Sequence, residues 1–218
     1  MKPTVRGLAV AALLALPSAG AAFALQPGQP GQFDYYVLSL SWSPEYCAGT
    51  GDRTQAPQCT AGRPFAFVLH GLWPQYGAGG WPQFCLRPAP AVPEPIIEKM
   101  LPIQPDRGLI QHEWARHGTC SGLDVARYFE ASAAAFAGVA IPDRYQAPDH
   151  DLTTSVADLV AAFTAANPGL KAGDLSVHCK NQYLAELRLC LGRDLKPARC
   201  GADLRNQCGQ SVVLRRVR

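Results

Sequence analysis

The sequence has 218 residues, 48% of them hydrophobic and 17% charged, with eight cysteines and a formal net charge of +3 at pH 7. Its length suits one hydrophobic core and gives no case for two. So small a charge excludes a protein that holds nucleic acid by phosphate neutralisation over a broad basic surface; an RNA ligand would need a local site.

The chain opens with Lys2 and Arg6, the apolar run Gly7 to Leu16, Pro17, and a small-residue stretch ending Ala22-Phe23-Ala24. This pattern predicts a secretory signal peptide over residues 1–24, with a single mature domain, 25–218, beginning near Leu25. The apolar run is too short to cross a bilayer, and no later stretch offers about 18 unbroken apolar residues, so no membrane anchor is expected. Without Lys2 and Arg6 the basic residues fall from 20 to 18 against 17 acidic ones, a net charge of +1. Cys47, Cys59, Cys85, Cys120, Cys179, Cys190, Cys200 and Cys208 all follow the signal peptide. An even number there predicts four disulfides in an oxidising compartment, periplasmic or extracellular, and leaves their pairing open. Zinc binding through these cysteines is disfavoured, because no closely spaced pair has histidines to match.

Gln26 to Gln32 reads as a loose lead-in, and Phe33 to Trp42, rich in β-formers, as a core strand. Pro44 to Gly62 reads as loop. Phe65 to His70 is predicted as a second strand, with Phe65, Phe67 and Leu69 on one face and His70 at the strand end, where Gly71 and Pro74 force a turn. Trp73 to Pro95 is dense in Pro and Gly and reads as irregular, with a short helix over Pro95 to Leu101. Gly108 opens a helical segment that stops at Gly118, read as a C-terminal cap. Further helices are predicted over Gly122 to Phe136 and Thr153 to Ala166. Two strands follow, Asp174 to Cys179 and Tyr183 to Leu191, the latter with Tyr183, Ala185, Leu187, Leu189 and Leu191 on one face. Strands and helices do not alternate regularly, so the predicted class is α+β.

The segment His112-Glu113-Trp114-Ala115-Arg116-His117 carries the strongest chemical signal. With about 100° per helical residue, His112, Arg116, Glu113 and His117 fall at about 0°, 40°, 100° and 140°, on less than half of the circumference. Trp114 and Ala115 fall on the other side, toward the core, and Glu113 and His117 are spaced to hydrogen-bond across one turn. The second histidine comes five residues after the first, which breaks the zinc-peptidase spacing of four. Two histidines, a carboxylate and a cation on one arc favour proton-transfer chemistry over a merely solvated face. His70 adds an imidazole from a separate strand, and Trp73 a flat face on which a nucleobase could stack. Such a set suits phosphoryl transfer within RNA: the 2′-hydroxyl must lose a proton, the 5′-oxygen must gain one, and charge on phosphorus must be stabilised. No metal or other cofactor is required where the nucleophile belongs to the substrate. His150 and His178 lie outside this set and read as surface or structural residues.

The segments Phe67-Val68-Leu69-His70-Gly71-Leu72-Trp73-Pro74 and His112 to Cys120 resemble the two active-site segments of the ribonuclease T2 family. With Ser41-Trp42-Ser43-Pro44-Glu45-Tyr46-Cys47 before them and the late cysteine-bearing strands after, the resemblance covers essentially the mature chain. It implies an antiparallel sheet flanked by helices and an endoribonuclease that forms a 2′,3′-cyclic phosphate and then a 3′-phosphate. It also implies His117 as general base, His70 as general acid, His112 as phosphate ligand and Glu113 as a charge holder, with Trp73, Gln75 and Leu109 contacting bases. Arg116 stands where the family usually has lysine, which keeps the charge but rules out proton donation there. Ser41 stands where many relatives carry glutamine, so base preference is not inherited. The implied disulfides are Cys47–Cys59, Cys85–Cys120, Cys179–Cys208 and Cys190–Cys200. RNA is the expected partner, with a monomeric protein and no obligate protein partner. Two other readings are weighed against this one: a catalytically inactive secreted RNA-binding protein on the same fold, disfavoured because all three site histidines are present, and a metallohydrolase, disfavoured by the spacing.

Overall fold

The computed structural model describes residues 1, 28–49, 56–60 and 64–217. Apart from Met1, the predicted signal peptide lies outside the described residues. Strand β1 (Tyr35–Trp42) pairs antiparallel with β2 (Phe67–Gln75) on one side and with β5 (Tyr183–Leu191) on the other, and β5 pairs antiparallel with β4 (Leu175–Lys180). A further pair, β3 (Leu152–Ser155) with β6 (Ser211–Leu214), joins β5 through one parallel contact, Tyr183 with Val213. Helices α1 (Ser43–Cys47), α2 (Glu94–Met100), α3 (Arg107–Arg116), α4 (Val125–Ala137) and α5 (Val156–Ala166) complete an α+β fold.

One face of the sheet and the helices share the main core. Leu38, Leu40 and Trp42 from β1 meet Ile110 and Trp114 from α3, Tyr128 and Phe129 from α4, and Leu159 and Phe163 from α5. The opposite face carries a smaller cluster of Tyr35, Val37 and Cys190, against which Trp73 packs.

Two bulges decide what reaches that opposite face. Ser39 pairs with Gly71 and Leu40 with Leu69, which leaves His70 as an extra residue in β2. The strand therefore does not turn after His70 as predicted but runs on to Gln75, its surplus residue absorbed by the bulge. Phe67, Leu69 and Leu72 all join the core, and His70 and Trp73, which strict alternation would separate, come to the same side. The bulge is held from outside the sheet: Gln104 Nε2 donates to the His70 carbonyl (2.7 Å) and the Leu69 N–H donates to the Ile103 carbonyl (2.8 Å). In β5, His178 faces Glu186 and Cys179 faces Leu184, so Ala185 is the extra residue. Leu184, rather than the predicted Tyr183 and Ala185, therefore lies buried with Leu187, Leu189 and Leu191.

Other boundaries move for local reasons. Asp106 caps α3 by accepting from the Leu109 N–H, so the helix begins before Gly108, and Asp124 caps α4 in the same way through Arg127. The predicted helix from Thr153 loses its first turn to β3, because Leu152 to Ser155 finds β6 as a partner; Ser155 then caps α5. Strand β6 has only four residues and gave no periodic signal. Within the predicted Pro44 to Gly62 loop, Ser43 to Cys47 forms a helical turn with Pro44 in its first positions.

All four disulfides join the pairs that the resemblance implies, and each of the eight cysteines is bonded. Gly118 does not act as a left-handed cap. It begins a short 3-10 turn, and its lack of a side chain lets the helix end pack: a Cβ there would lie 2.4 Å from Trp114 Cε3 and 2.8 Å from Tyr128 Cε1. Gly118→Ala should therefore cost about 1–3 kcal/mol through overpacking, read as a lower urea midpoint at unchanged slope.

Candidate active site

The bulge in β2 and the end of α3 bring four predicted residues together. Trp73 Nε1 donates to Glu113 Oε2 (2.6 Å), and His70 Nε2 lies 3.7 Å from Glu113 Oε1. The Trp73 ring stands edge-on to His70, with centroids 5.0 Å apart, and tilted 30° against His117 at 5.3 Å. Glu113 is 2% exposed and His117 is also buried, so half of the polar arc turns inward against β2, while His112 stays exposed. Its carboxylate is engaged by Trp73 and His70, and the expected side-chain bond to His117 is not made. Side chains on a helix lean toward its N-terminus, and His117 is the C-cap residue just past the end of α3, at φ −114°. Trp114 is buried as predicted and donates to the Pro90 carbonyl (2.9 Å), while Ala115 is only half-buried.

Gly71 makes this arrangement possible by close approach. A Cβ at that position would lie 2.1 Å from Glu113 Oε2 and 2.4 Å from Trp73 Nε1, inside the hydrogen bond that joins them. His112 is exposed and shares with His70, Leu109 and Ser41 the wall of a cavity of about 570 Å³. Arg116 is half-buried beside Phe84, with its Nε atom buried and unpartnered. Gln75, expected to contact a base, does not line the cavity: it is 7% exposed and its amide donates to the Pro74 carbonyl (3.0 Å). Position in β2 explains this, since Gln75 pairs with Tyr35 at the opposite end of β1 from Ser41. The Trp73 ring is also less open than expected, because Arg188 lies over it at 5.0 Å from the centroid.

Two site residues escape the sequence reading. Glu186 Oε1 accepts from His70 Nδ1 (2.6 Å), and its Oε2 accepts from Arg188 Nε (2.8 Å) and from Ser39 Oγ (3.2 Å). Their signal was available in β5, where these two charged residues alternate with the buried leucines and so must face away from the core. Of the remaining histidines, His178 is buried against Ser176 and Gln207, and His150 is exposed beside Asp149. Among the described residues, no group of three or more His, Cys, Asp and Glu side chains is arranged to hold a metal ion.

Electrostatics separate the titrating groups. Burial alone would lower the pKa of His70, but its hydrogen bond to Glu186 and the charges of Glu186 and Glu113 outweigh that and raise it. His117 is driven the other way, to about 3, by burial and by the positive charges of Arg116, His70 and His112. Burial pushes Glu113 up to about 7 against the pull of His70 and Trp73. Glu186 resists its own burial because His70 and Arg188 hold it ionised, with a pKa of about 2. Near neutrality the site therefore holds a His70 drawn toward its cationic form, a neutral His117, an ionised Glu186 and a Glu113 that is partly protonated.

Solved structures share this fold. An RNase-related protein from Calystegia sepium superposes with a TM-score of 0.68 at 20% identity, over 85% of this chain and 98% of its own. RNase NT, solved in complex with 5′-AMP, gives 0.65 at 22% identity over 84% and 98%. The fold is thus that of the T2 ribonucleases. The Ribonuclease T2 family model matches residues 33–200, and the chain belongs to that family. It is 49% identical over 98 residues to a ribonuclease of Aeromonas hydrophila and 35% identical over 122 residues to a probable ribonuclease of Haemophilus influenzae. Those matches cover 44% and 51% of this chain but only 41% and 45% of the relatives, so the chain spans less than half the length of each. Ribonuclease I of Escherichia coli is 28% identical over 98% of both chains.

Two outcomes test this geometry. In a histidine NMR titration, His70 should remain protonated above the ordinary value of about 6.5, while His117 stays neutral down to about pH 4, given its pKa of about 3. Gly71→Ala should force Glu113 and Trp73 apart, shifting the Trp73 indole N–H resonance and lowering stability by about 1–3 kcal/mol.

Proposed function

We propose that the protein is a metal-independent endoribonuclease that cleaves single-stranded RNA by transphosphorylation, exported as a monomer to the periplasm or the medium by residues 1–24. The observation that carries this reading is a pair of histidines packed against the same Trp73 ring, His70 drawn toward its cationic form and His117 held neutral. An acid and a base of the same residue type can then act together at one pH.

In the first step the neutral His117 takes the proton of the ribose 2′-hydroxyl, and the 2′-oxygen bonds to phosphorus. The bond from phosphorus to the 5′-oxygen breaks, and His70 gives its Nε2 proton to the departing oxygen. The products are a 2′,3′-cyclic phosphate and a 5′-hydroxyl. In the second step the neutral His70 takes a proton from water, the water oxygen adds to phosphorus, and His117 returns its proton to the 2′-oxygen, leaving a 3′-phosphate. The phosphodiester's own negative charge offsets the repulsion from Arg116, His70 and His112 that keeps His117 weakly basic in the free protein.

Arg116 supplies positive charge to the phosphate, and both His112 and Arg116 offer it N–H donors. Glu113, with a pKa of about 7, can in its protonated form donate a hydrogen bond to a phosphoryl oxygen rather than repel it. The cavity lined by Leu109 and Ser41 offers an apolar floor with a hydroxyl for a base. Trp73 can stack on another base only through the ring surface that His117 and Arg188 leave open. Among the described residues no helix is long and apolar enough to cross a membrane, and four disulfides suit an oxidising compartment.

The protein should cleave total RNA in EDTA, and His70→Ala and His117→Ala should each reduce the rate by about 10²–10⁴-fold. Inhibition by EDTA would favour metal chemistry, and RNA binding without cleavage would favour an inactive binding protein. The Cys85–Cys120 bridge ties the loop before Pro88 to the end of α3, where the Phe84 N–H also donates to the Arg116 carbonyl (2.8 Å). Cys85→Ala should lower turnover per folded molecule as well as stability; full specific activity in the folded variant would remove that link.

A further inference from the structure

Glu186 is a largely shielded carboxylate, 15% exposed at its side chain, to which the proposed reaction assigns no step. Its two oxygens are divided. Oε1 takes Nδ1 of His70 at 2.6 Å, while Oε2 takes the Arg188 guanidinium through Nε at 2.8 Å and Nη2 at 2.7 Å, and Ser39 Oγ at 3.2 Å. These contacts cross three adjacent strands. Glu186 and Arg188 stand on β5, Ser39 on β1 and His70 on β2, so Glu186 reaches over β1 to His70, the surplus residue of the bulge in β2.

We propose that Glu186 is a positioning residue for proton delivery: it holds Nδ1 of His70 so that the proton leaves from Nε2, and Arg188 and Ser39 fix Glu186 for that task. The inference rests on the acid role proposed for His70. A cationic imidazole carries a proton on each nitrogen and can lose either; only Nε2 faces Glu113 and the cleft. With Nδ1–H bound to a carboxylate, the neutral imidazole left after delivery is the Nδ1–H tautomer, and its Nε2 lone pair is ready to take a proton from water in the second step. Arg188 neutralises much of the Glu186 charge, which keeps His70 from becoming too weak an acid to give up its proton.

The groups that act on the His70 charge are Glu186 and Arg188 from β5, Glu113 and His112 from α3, and His117 just beyond it. Of these, Glu186 alone combines a direct hydrogen bond with an opposite charge that stays ionised through the working range. Glu113 lies farther off, at 3.7 Å, and is itself partly protonated near neutrality.

Glu186→Gln keeps an acceptor for Nδ1–H and removes the charge. It should move the alkaline limb of the kcat/KM profile to lower pH and lower the rate at neutral pH by about 10- to 100-fold, the usual cost of losing a group that orients a functional histidine. The deficit should shrink in acid, where His70 is protonated in both proteins, with KM little changed. Glu186→Ala, which loses the acceptor too, should remain slower than Glu186→Gln even there. A loss equal at every pH, or no loss, would overturn the proposal. A second measurement needs neither variant nor RNA: nitrogen NMR of the unaltered protein should find neutral His70 with its proton on Nδ1. The Nε2–H tautomer would overturn the proposal even if RNA is cleaved. An Nδ1–H tautomer in a protein that cleaves no RNA would instead count against the proposed reaction and leave the contact between Glu186 and His70 standing.

Discussion

The arrangement of the cleft depends on one surplus residue in β2. With strict alternation from Leu69, His70 and Trp73 would lie on opposite sides of the sheet. One would be driven into the core, and Leu72 would be turned out of it. The bulge at His70 reverses the parity once, so Leu72 stays buried and both aromatic rings face the same way. Its cost is a main-chain carbonyl with no partner in the ladder, and Gln104 meets it from the segment just before α3. The contact that completes the bulge thus also brings the strand to the helix that carries the other half of the site.

Burial then does the electrostatic work. Two carboxylates and two imidazoles sit within a few side chains of one another, where water cannot level their charges. Burial lifts Glu113 to about 7 although His70 stands 3.7 Å away; Glu186, with Arg188 on one oxygen and His70 on the other, falls to about 2. The histidines divide in the same manner, one between two carboxylates and the other surrounded by cations. Residues of identical type are therefore made different by their neighbours alone, and the proposed acid and base roles rest on that difference.

The frame around the cleft is held largely by covalent and main-chain links between irregular segments. Cys85–Cys120, the Phe84 to Arg116 hydrogen bond, and the Cys85 N–H donating to Thr119 Oγ1 (3.1 Å) fix the long loop against the end of α3. Close packing of Gly118 against Trp114 and Tyr128 fixes the same helix end from the core side. Tyr128 in turn donates to the Leu72 carbonyl (3.0 Å), which returns the constraint to the bulged strand. The end of α3 and the turn of β2 toward the cleft are thus coupled through a short chain of buried contacts.

The sequence alone determined which residue types meet. Helical spacing put His112, Glu113, Arg116 and His117 on one arc, the strand and helix order defined an α+β chain, and the cysteines with the two histidine segments pointed to the T2 ribonucleases. These signals are local, because periodicity and motif depend only on near neighbours along the chain. Tertiary structure decided the rest. Whether β2 turned or continued depended on its pairing with β1, and the core face of β5 depended on the bulge opposite β4. Thr153 to Ser155 became strand because β6, far along the chain, lay beside it. Gly71 looked like a turn residue and proved to be the space in which Glu113 and Trp73 meet. Glu186 was legible as a polar residue facing away from the leucines, but nothing short of the register across three strands could put it on His70, since that contact joins residues 116 apart in the chain.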